Sequence, residues 1–448
     1  MSVWLARGAV MIALLSVLVS GAPPAAGAPA GAPVGLRDTE IENDIRTLAS
    51  PIWRAAGLEP SDVGVYMVED NQINSFVAGG QAIFLNTGLL LAVENPDQLI
   101  GVIAHETGHI AGGHILRAEQ EMHNASIETI IAMVLGAAAS VAGHSGAPML
   151  GALGVGERHF LQFSIAQEAT ADHAALNYLD RACLSARGLL RFFEILQSNE
   201  MLNGDSEDQW TRTHPLTAER IDYVRDHVAH ARCSNAPDRP GSAELLRHIQ
   251  VKLHAFLDPP SKTLAAYPPT DRSEMARYAR AIAYYRIPDL QKAVPEIDGL
   301  IRDFPANPYY RELKGQMLFE NGHVRAAIHP YEEAVRLAPS APLLRVALSQ
   351  VYIETGDPAY NRRAIAYLND ASREEAHDSQ IWHFLAVAYG RDNQMGMAAL
   401  SLAEQALANG KKDDAIQQSK RAQQLLGRNS VAFARAVEIN REAKQLDD

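Results

Sequence analysis

The chain has 448 residues, with 40 Lys and Arg against 53 Asp and Glu, a net charge of −13 and two cysteines. Hydrophobic residues at 47% and charged residues at 21% exclude wholesale disorder, a collagen-like repeat and a disulfide-dense scaffold, and the length suggests two or three domains. The acidic balance argues against nucleic acid as a partner, because phosphate binding needs clustered Lys and Arg.

Residues 1–30 read as a Sec signal peptide. Arg7 precedes an apolar run from Gly8 to Ser20, and small residues with A-x-A sites at 26–28 and 28–30 follow. The run is shorter than the about 20 apolar residues of a membrane-spanning helix. Export places the remainder in an oxidising compartment. There Cys183 and Cys233 are expected to be either one disulfide or two buried thiols.

Residues 38–235 mix helix-period and strand-like segments. Within them, residues 96–117 read PDQLIGVIAHETGHIAGGHILR. Asp97 is expected to cap a helix that carries His105-Glu106-Thr107-Gly108-His109, an H-E-x-x-H pattern. Residues four apart share a helix face, so both imidazoles can reach one ion. Zinc accepts neutral imidazole nitrogens, and Glu106 is placed to act as general base on water at that ion.

A third protein ligand is required if one coordination place is to stay open. His114 follows His109 by five residues, about 140° around the helix, and His105 by nine, about 180°, so it faces away. A carboxylate on a second helix is the better choice. Residues 160–180 are helix-prone and alanine-rich, and Glu168 and Asp172 lie four apart on one face, with Ala169, Ala171 and Ala175 small enough for close packing. Glu168 is therefore expected to be the third ligand, and Asp172 to hold the far nitrogen of a ligand imidazole. Between the two helices, residues 127–156 are apolar and glycine-rich. Their apolar stretch from Ile130 to Ala142 is too short and broken to span a bilayer, and the segment suits a lid, ordinary packing over the cleft, or a hairpin making peripheral membrane contact.

Residues 236–272 are punctuated by proline and carry one helix-period stretch, SAELLRHIQVKLHAFL. Residues 273–448 are helix-forming and repeat. Ala281, Gly315 and Ser349 are spaced by 34, as are Tyr284, Leu318 and Tyr352, and Ala293 with Ala327 and Pro305 with Pro339 keep the same register. Gly322 and Gly356 mark turns, a later unit reads Trp382, Leu385, Ala386, Tyr389 and Ala398, and extra residues near Pro358–Arg363 interrupt the third unit. The pattern resembles four or five tetratricopeptide repeats, whose stacked helix pairs bind peptides or proteins.

HETGH, then EATAD at 168–172, then THPLTAERI at 213–221 together are similar to metallopeptidase family forty-eight. The resemblance covers about residues 71–225. It implies an α+β, gluzincin-type zinc metallopeptidase domain, mostly helical with a small sheet, followed by the all-α tetratricopeptide solenoid. It also implies one zinc ion per chain and adds three assignments. Residues 71–91, with Gly79-Gly80 allowing a turn, look like the family's strand before the active-site helix, which can receive substrate backbone by strand addition. His214 matches the histidine of the family's H-P-x-x-x-x-R-I pattern, and either closes the fourth zinc position or polarises the substrate carbonyl. Arg220 matches the arginine of that pattern and is expected to support the site's carboxylates.

An exported soluble member with repeats implies a periplasmic zinc endopeptidase that degrades misfolded or stalled outer-membrane proteins and assists β-barrel assembly, its repeats recruiting those proteins or the barrel-assembly machinery. The alternative is a repeat-based chaperone or assembly factor with a latent, rarely used peptidase site.

Overall fold

The computed structural model describes residues 34–113, 155–203, 210, 214–376 and 378–446. The leader, His114 and residues 127–154 lie outside the described residues. A four-stranded sheet is built from β1 (Val34–Leu36), β2 (Gly64–Glu69), β3 (Ser75–Ala78) and β4 (Ala82–Asn86), in the order β1-β2-β4-β3. β2 and β4 are parallel, and β1 and β3 pair antiparallel with them. The β3–β4 hairpin turns through Gly79 and Gly80 at φ +59° and +87°, which a side chain would resist. Its register sets Phe76 opposite Phe84, with the rings stacked at 4.9 Å. Among the described residues, β3 ends the strand order and is an edge.

Among the described residues, six α-helices accompany the sheet in this unit: α1 (Thr39–Ala56), α2 (Thr87–Ala92), α3 (Pro96–Gly112), α4 (Val155–Ala182), α5 (Arg187–Asn203) and α6 (Ala218–His230). α3 is capped by Asn95, whose side chain accepts from the Gln98 N–H, and Asp97 lies in the first turn instead. Pro96 explains the shift, because it suits the first helical position and forces the preceding residue out of helical geometry. α3 is buried along most of its length. Two glycines allow this: a Cβ on Gly101 would meet Leu189 of α5 at 2.8 Å, and one on Gly108 would meet the Ala171 carbonyl of α4 at 2.6 Å.

Cys183, just after α4, and Cys233, just after α6, are joined as a disulfide. Closing a loop of 50 residues stabilises the fold by roughly 4 kcal/mol on the loop-entropy model. Cys183→Ser with Cys233→Ser is expected to lower stability by about that amount, read from the urea midpoint. An unchanged midpoint would remove the bridge from the fold's energetics.

The proline-punctuated stretch holds α7 (Ser242–Leu257) and a second short helix, α8 (Pro260–Ala266). Five helix pairs follow: α9 (Glu274–Arg286) with α10 (Leu290–Asp303), α11 (Tyr309–Glu320) with α12 (Val324–Leu337), α13 (Pro342–Glu354) with α14 (Pro358–Glu374), α15 (Ser379–Arg391) with α16 (Met395–Ala408), and α17 (Lys412–Leu425) with α18 (Val431–Ala443). The small repeat positions permit close pairing: a Cβ on Gly315 would lie 2.5 Å from the Tyr331 ring. The extra residues of the third unit lengthen α14 to 17 residues, against 14 in α10 and α12, about one added turn.

α7 is no loose tether. One hydrophobic core runs through the sheet, α1, α3, α7 and the first repeat helices, from Leu36 to Met317. Polar contacts reinforce this junction. Arg37 pairs with Glu42 and Glu375 at 2.8 Å each and with Asp378 at 3.3 Å. Lys252 of α7 pairs with Asp38 at 2.8 Å and Glu40 at 3.0 Å, and Thr39 donates to Glu312 at 2.8 Å. Among the described residues, no helix is long and apolar enough to cross a membrane.

Candidate metal centre

α3 and α4 cross where Gly108 meets Ala171, and this contact brings their polar faces together. One ligand atom from each of His105, His109, Glu168 and His214 lies within 4.8 Å of the others. His105 Nε2 is 3.3 Å from one Glu168 oxygen, and His109 Nε2 is 3.2 Å from the other. The two imidazole Nε2 atoms are 3.1 Å apart. His214, just before α6, sets Nδ1 at 3.2 Å from both Glu168 oxygens. None of these side chains belongs to a residue more than 6% exposed.

The hydrogen bonds around the cluster fix which nitrogens are free. His105 Nδ1–H donates to Asp172 at 2.9 Å, so the lone pair of Nε2 faces the cluster. His214 Nε2–H donates to the Ser75 carbonyl at 3.1 Å, so the lone pair of Nδ1 faces it too. Acceptors converging on one buried point repel each other unless a cation sits among them. The donor set of three imidazoles and a carboxylate therefore fits a divalent metal ion.

Protons compete for the same place. Burial alone would lower His105, yet the Asp172 and Glu168 carboxylates override it and push the imidazole up to about 9. Burial lowers His109. When protons stand in for an ion on the imidazole nitrogens, burial would raise Glu168, but the charge of His214 and hydrogen bonds from the imidazoles outweigh it and hold the carboxyl well below its usual range.

A second layer holds the first. Arg220 of α6 donates through Nε to Asp172 at 2.6 Å and through Nη2 to the other Asp172 oxygen at 3.0 Å, and its Nη1 is 3.0 Å from Glu168. Its guanidinium lies 5.1 Å from the centre of the Phe193 ring. Glu106 stays outside the converging set. Its Oε1 accepts from the Ser75 hydroxyl at 2.6 Å, and its Oε2 is buried with no hydrogen-bond partner.

His105, Glu106, His109, Glu168 and His214 are thus placed together, with Asp172 and Arg220 one step behind the cluster. Two neighbours were not foreseen. Ser75 touches Glu106 through its hydroxyl and His214 through its carbonyl. Trp210 donates its backbone N–H to the Ile73 carbonyl at 3.2 Å, and its ring lies 4.4 Å from that of His214. Position on the strand edge is the only signal that Ser75 offered, and Trp210 offered none, because its partners are distant in sequence.

Residues 36–228 match the model for Peptidase family M48, and residues 278–342 and 312–362 match the tetratricopeptide repeat. The beta-barrel assembly-enhancing protease of Yersinia pestis is 23% identical over 389 residues, covering 84% of this chain and 78% of that protein. Its namesake in Escherichia coli K12 is 23% identical over 392 residues, covering 85% and 78%. Metalloprotease LoiP of Escherichia coli K12 is 30% identical over 194 residues, covering 43% of this chain and 72% of LoiP. With the H-E-x-x-H helix, the carboxylate helix and the C-terminal helix pairs all in place, the chain belongs to peptidase family M48 and is a metallopeptidase that carries tetratricopeptide repeats.

Proposed function

We propose that the chain is a periplasmic zinc endopeptidase that acts on unfolded or misassembled outer-membrane β-barrel proteins and is held latent by His214. The convergence of His105, His109, Glu168 and His214 beside Glu106 carries this reading. Imidazole and carboxylate donors at a closed, buried centre suit zinc. The substrate class follows the names of the full-length relatives. A leader at 1–30 and the disulfide favour an exported protein. The peptidase unit spans 38–235, residues 236–272 connect, and the repeats at 273–448 recruit clients or the barrel-assembly machinery.

His105, His109 and Glu168 would hold the ion, which supplies Lewis acidity to the scissile carbonyl and to water. The edge of β3 receives the substrate backbone as an added strand. Glu106 Oε2, free of other partners, takes a proton as the water oxygen bonds to the carbonyl carbon. The C–N bond then breaks, and Glu106 returns the proton to the leaving amine. Asp172 keeps His105 in the ligating tautomer, and Arg220 restrains both carboxylates.

His214 supplies a fourth donor where water and substrate need access. Trp210 and His214 also occupy the Ile73 and Ser75 carbonyls on the strand side. His214→Ala is expected to keep zinc, measured by elemental analysis, and to cleave an unfolded barrel protein faster. Removing an intramolecular ligand worth about 1.4 kcal/mol gives about a tenfold gain. A fall in rate with zinc retained would make His214 a catalytic group and end the latency reading. The same closed cluster favours a second reading, a repeat-based assembly factor whose peptidase site rarely opens. Envelope phenotypes unchanged by loss of cleavage would support it.

A further inference from the structure

We propose that Glu40 and Asp44 of α1 and His248 of α7 form a second divalent-cation site, which clamps the peptidase unit to the helix leading into the repeats. One ligand atom from each residue lies within 4.8 Å of the others. Glu40 and Asp44 are four apart on α1, and His248 and Lys252 are four apart on α7, so two helix faces oppose each other.

The polar contacts leave the inner oxygens free. Lys252 Nζ pairs with Glu40 Oε2 at 3.0 Å and with Asp38 at 2.8 Å, and the Tyr278 hydroxyl donates to Glu40 Oε2 at 2.5 Å. Glu40 Oε1 and Asp44 Oδ2 remain buried with no hydrogen-bond partner. His248 Nδ1 stands 3.5 Å from Glu40 Oε1, too far for a good hydrogen bond. Asp44 is 7% exposed and Glu40 is 1% exposed, so water does not solvate these lone pairs well.

Charge points the same way. Asp38, Glu40, Asp44 and Glu312 surround Lys252 and His248, and Glu274 lies 3.9 Å from His248 Nε2. Burial, with like-charged neighbours, pushes Asp44 and Glu312 up to about 8, so both carboxyls hold protons near neutral pH. A divalent ion would displace the Asp44 proton, and two carboxylate oxygens with one imidazole nitrogen suit zinc, manganese or their neighbours. His248 has a side chain 16% exposed, which gives the site a route to solvent.

The test is a zinc titration of the metal-stripped full chain by calorimetry, with wild type, Asp44→Asn, His248→Gln and His105→Ala compared. Asp44→Asn and His248→Gln are each expected to lose one equivalent of zinc relative to wild type. His105→Ala is expected to keep the equivalent that Asp44→Asn removes, which separates this site from the peptidase cluster. Asp44→Asn is nearly isosteric with the protonated acid that burial favours, so its zinc-free melting temperature should match that of wild type. Wild type should gain more from added zinc. Equal stoichiometry in wild type and both junction variants would overturn the site.

Discussion

Glu106→Gln is expected to slow cleavage of an unfolded protein by about 10²–10⁴-fold while leaving the metal content at the wild-type level. Glu106 is not one of the four groups that converge, so its loss should not empty the centre. Gln keeps the length of the side chain and one oxygen to accept from the Ser75 hydroxyl. It replaces the partnerless Oε2 with an NH2 group, which cannot take a proton. Steady-state kinetics beside elemental analysis decide the matter. Persistent cleavage would place the base elsewhere, and loss of metal would give Glu106 a structural part in the centre.

Arg220→Ala is expected to cost about 3–5 kcal/mol of stability, because it strips the cation from a buried ion cluster. Arg220 touches both Asp172 and Glu168 and also donates to the Pro215 carbonyl at 2.8 Å. Its removal leaves the Asp172 and Glu168 carboxylates without their guanidinium partner. Lys would not restore the two-pronged contact, since its ammonium is a point donor. The urea midpoint reads the effect, and pairing with Asp172→Asn should give less than the sum of the single losses. Burial raises Asp172, but hydrogen bonds from His105 and Arg220 outweigh it and leave the carboxyl below its ordinary value. Its contribution is therefore present above pH about 4 and lost as pH falls through the folded value. A midpoint within about 0.5 kcal/mol of wild type would reduce Arg220 to a surface-like residue.

The chemistry was legible where it rests on one helix at a time. His105 and His109, or Glu168 and Asp172, need only the helical period to share a face. The repeats were legible because a 34-residue spacing recurs in small and aromatic positions. Contacts between distant elements were not. Ser75 reaches Glu106 only because β3 lies beside α3, and no local pattern encodes that approach. The shared core is a similar case: prolines flanking α7 suggest a linker, while its buried Ile249, Leu253 and Phe256 join it to both neighbours. Asn95 as the cap of α3 was legible in principle, since Asn-Pro announces a helix start, but the acidic Asp97 two residues on offers a competing cap signal.

Trp210 and His214 already hold the Ile73 and Ser75 carbonyls, so an arriving strand contends with a ligand tethered to the same chain. Tethering gives that ligand an effective concentration of order millimolar. A free peptide at about micromolar concentration loses such a contest. A client gripped at the same time by the helix pairs gains an effective concentration of its own, since the core from Leu36 to Met317 seats the first repeats against the peptidase. On the proposed function, the array would act as a valency threshold, sparing polypeptides that bind at one point and admitting those that bind at two.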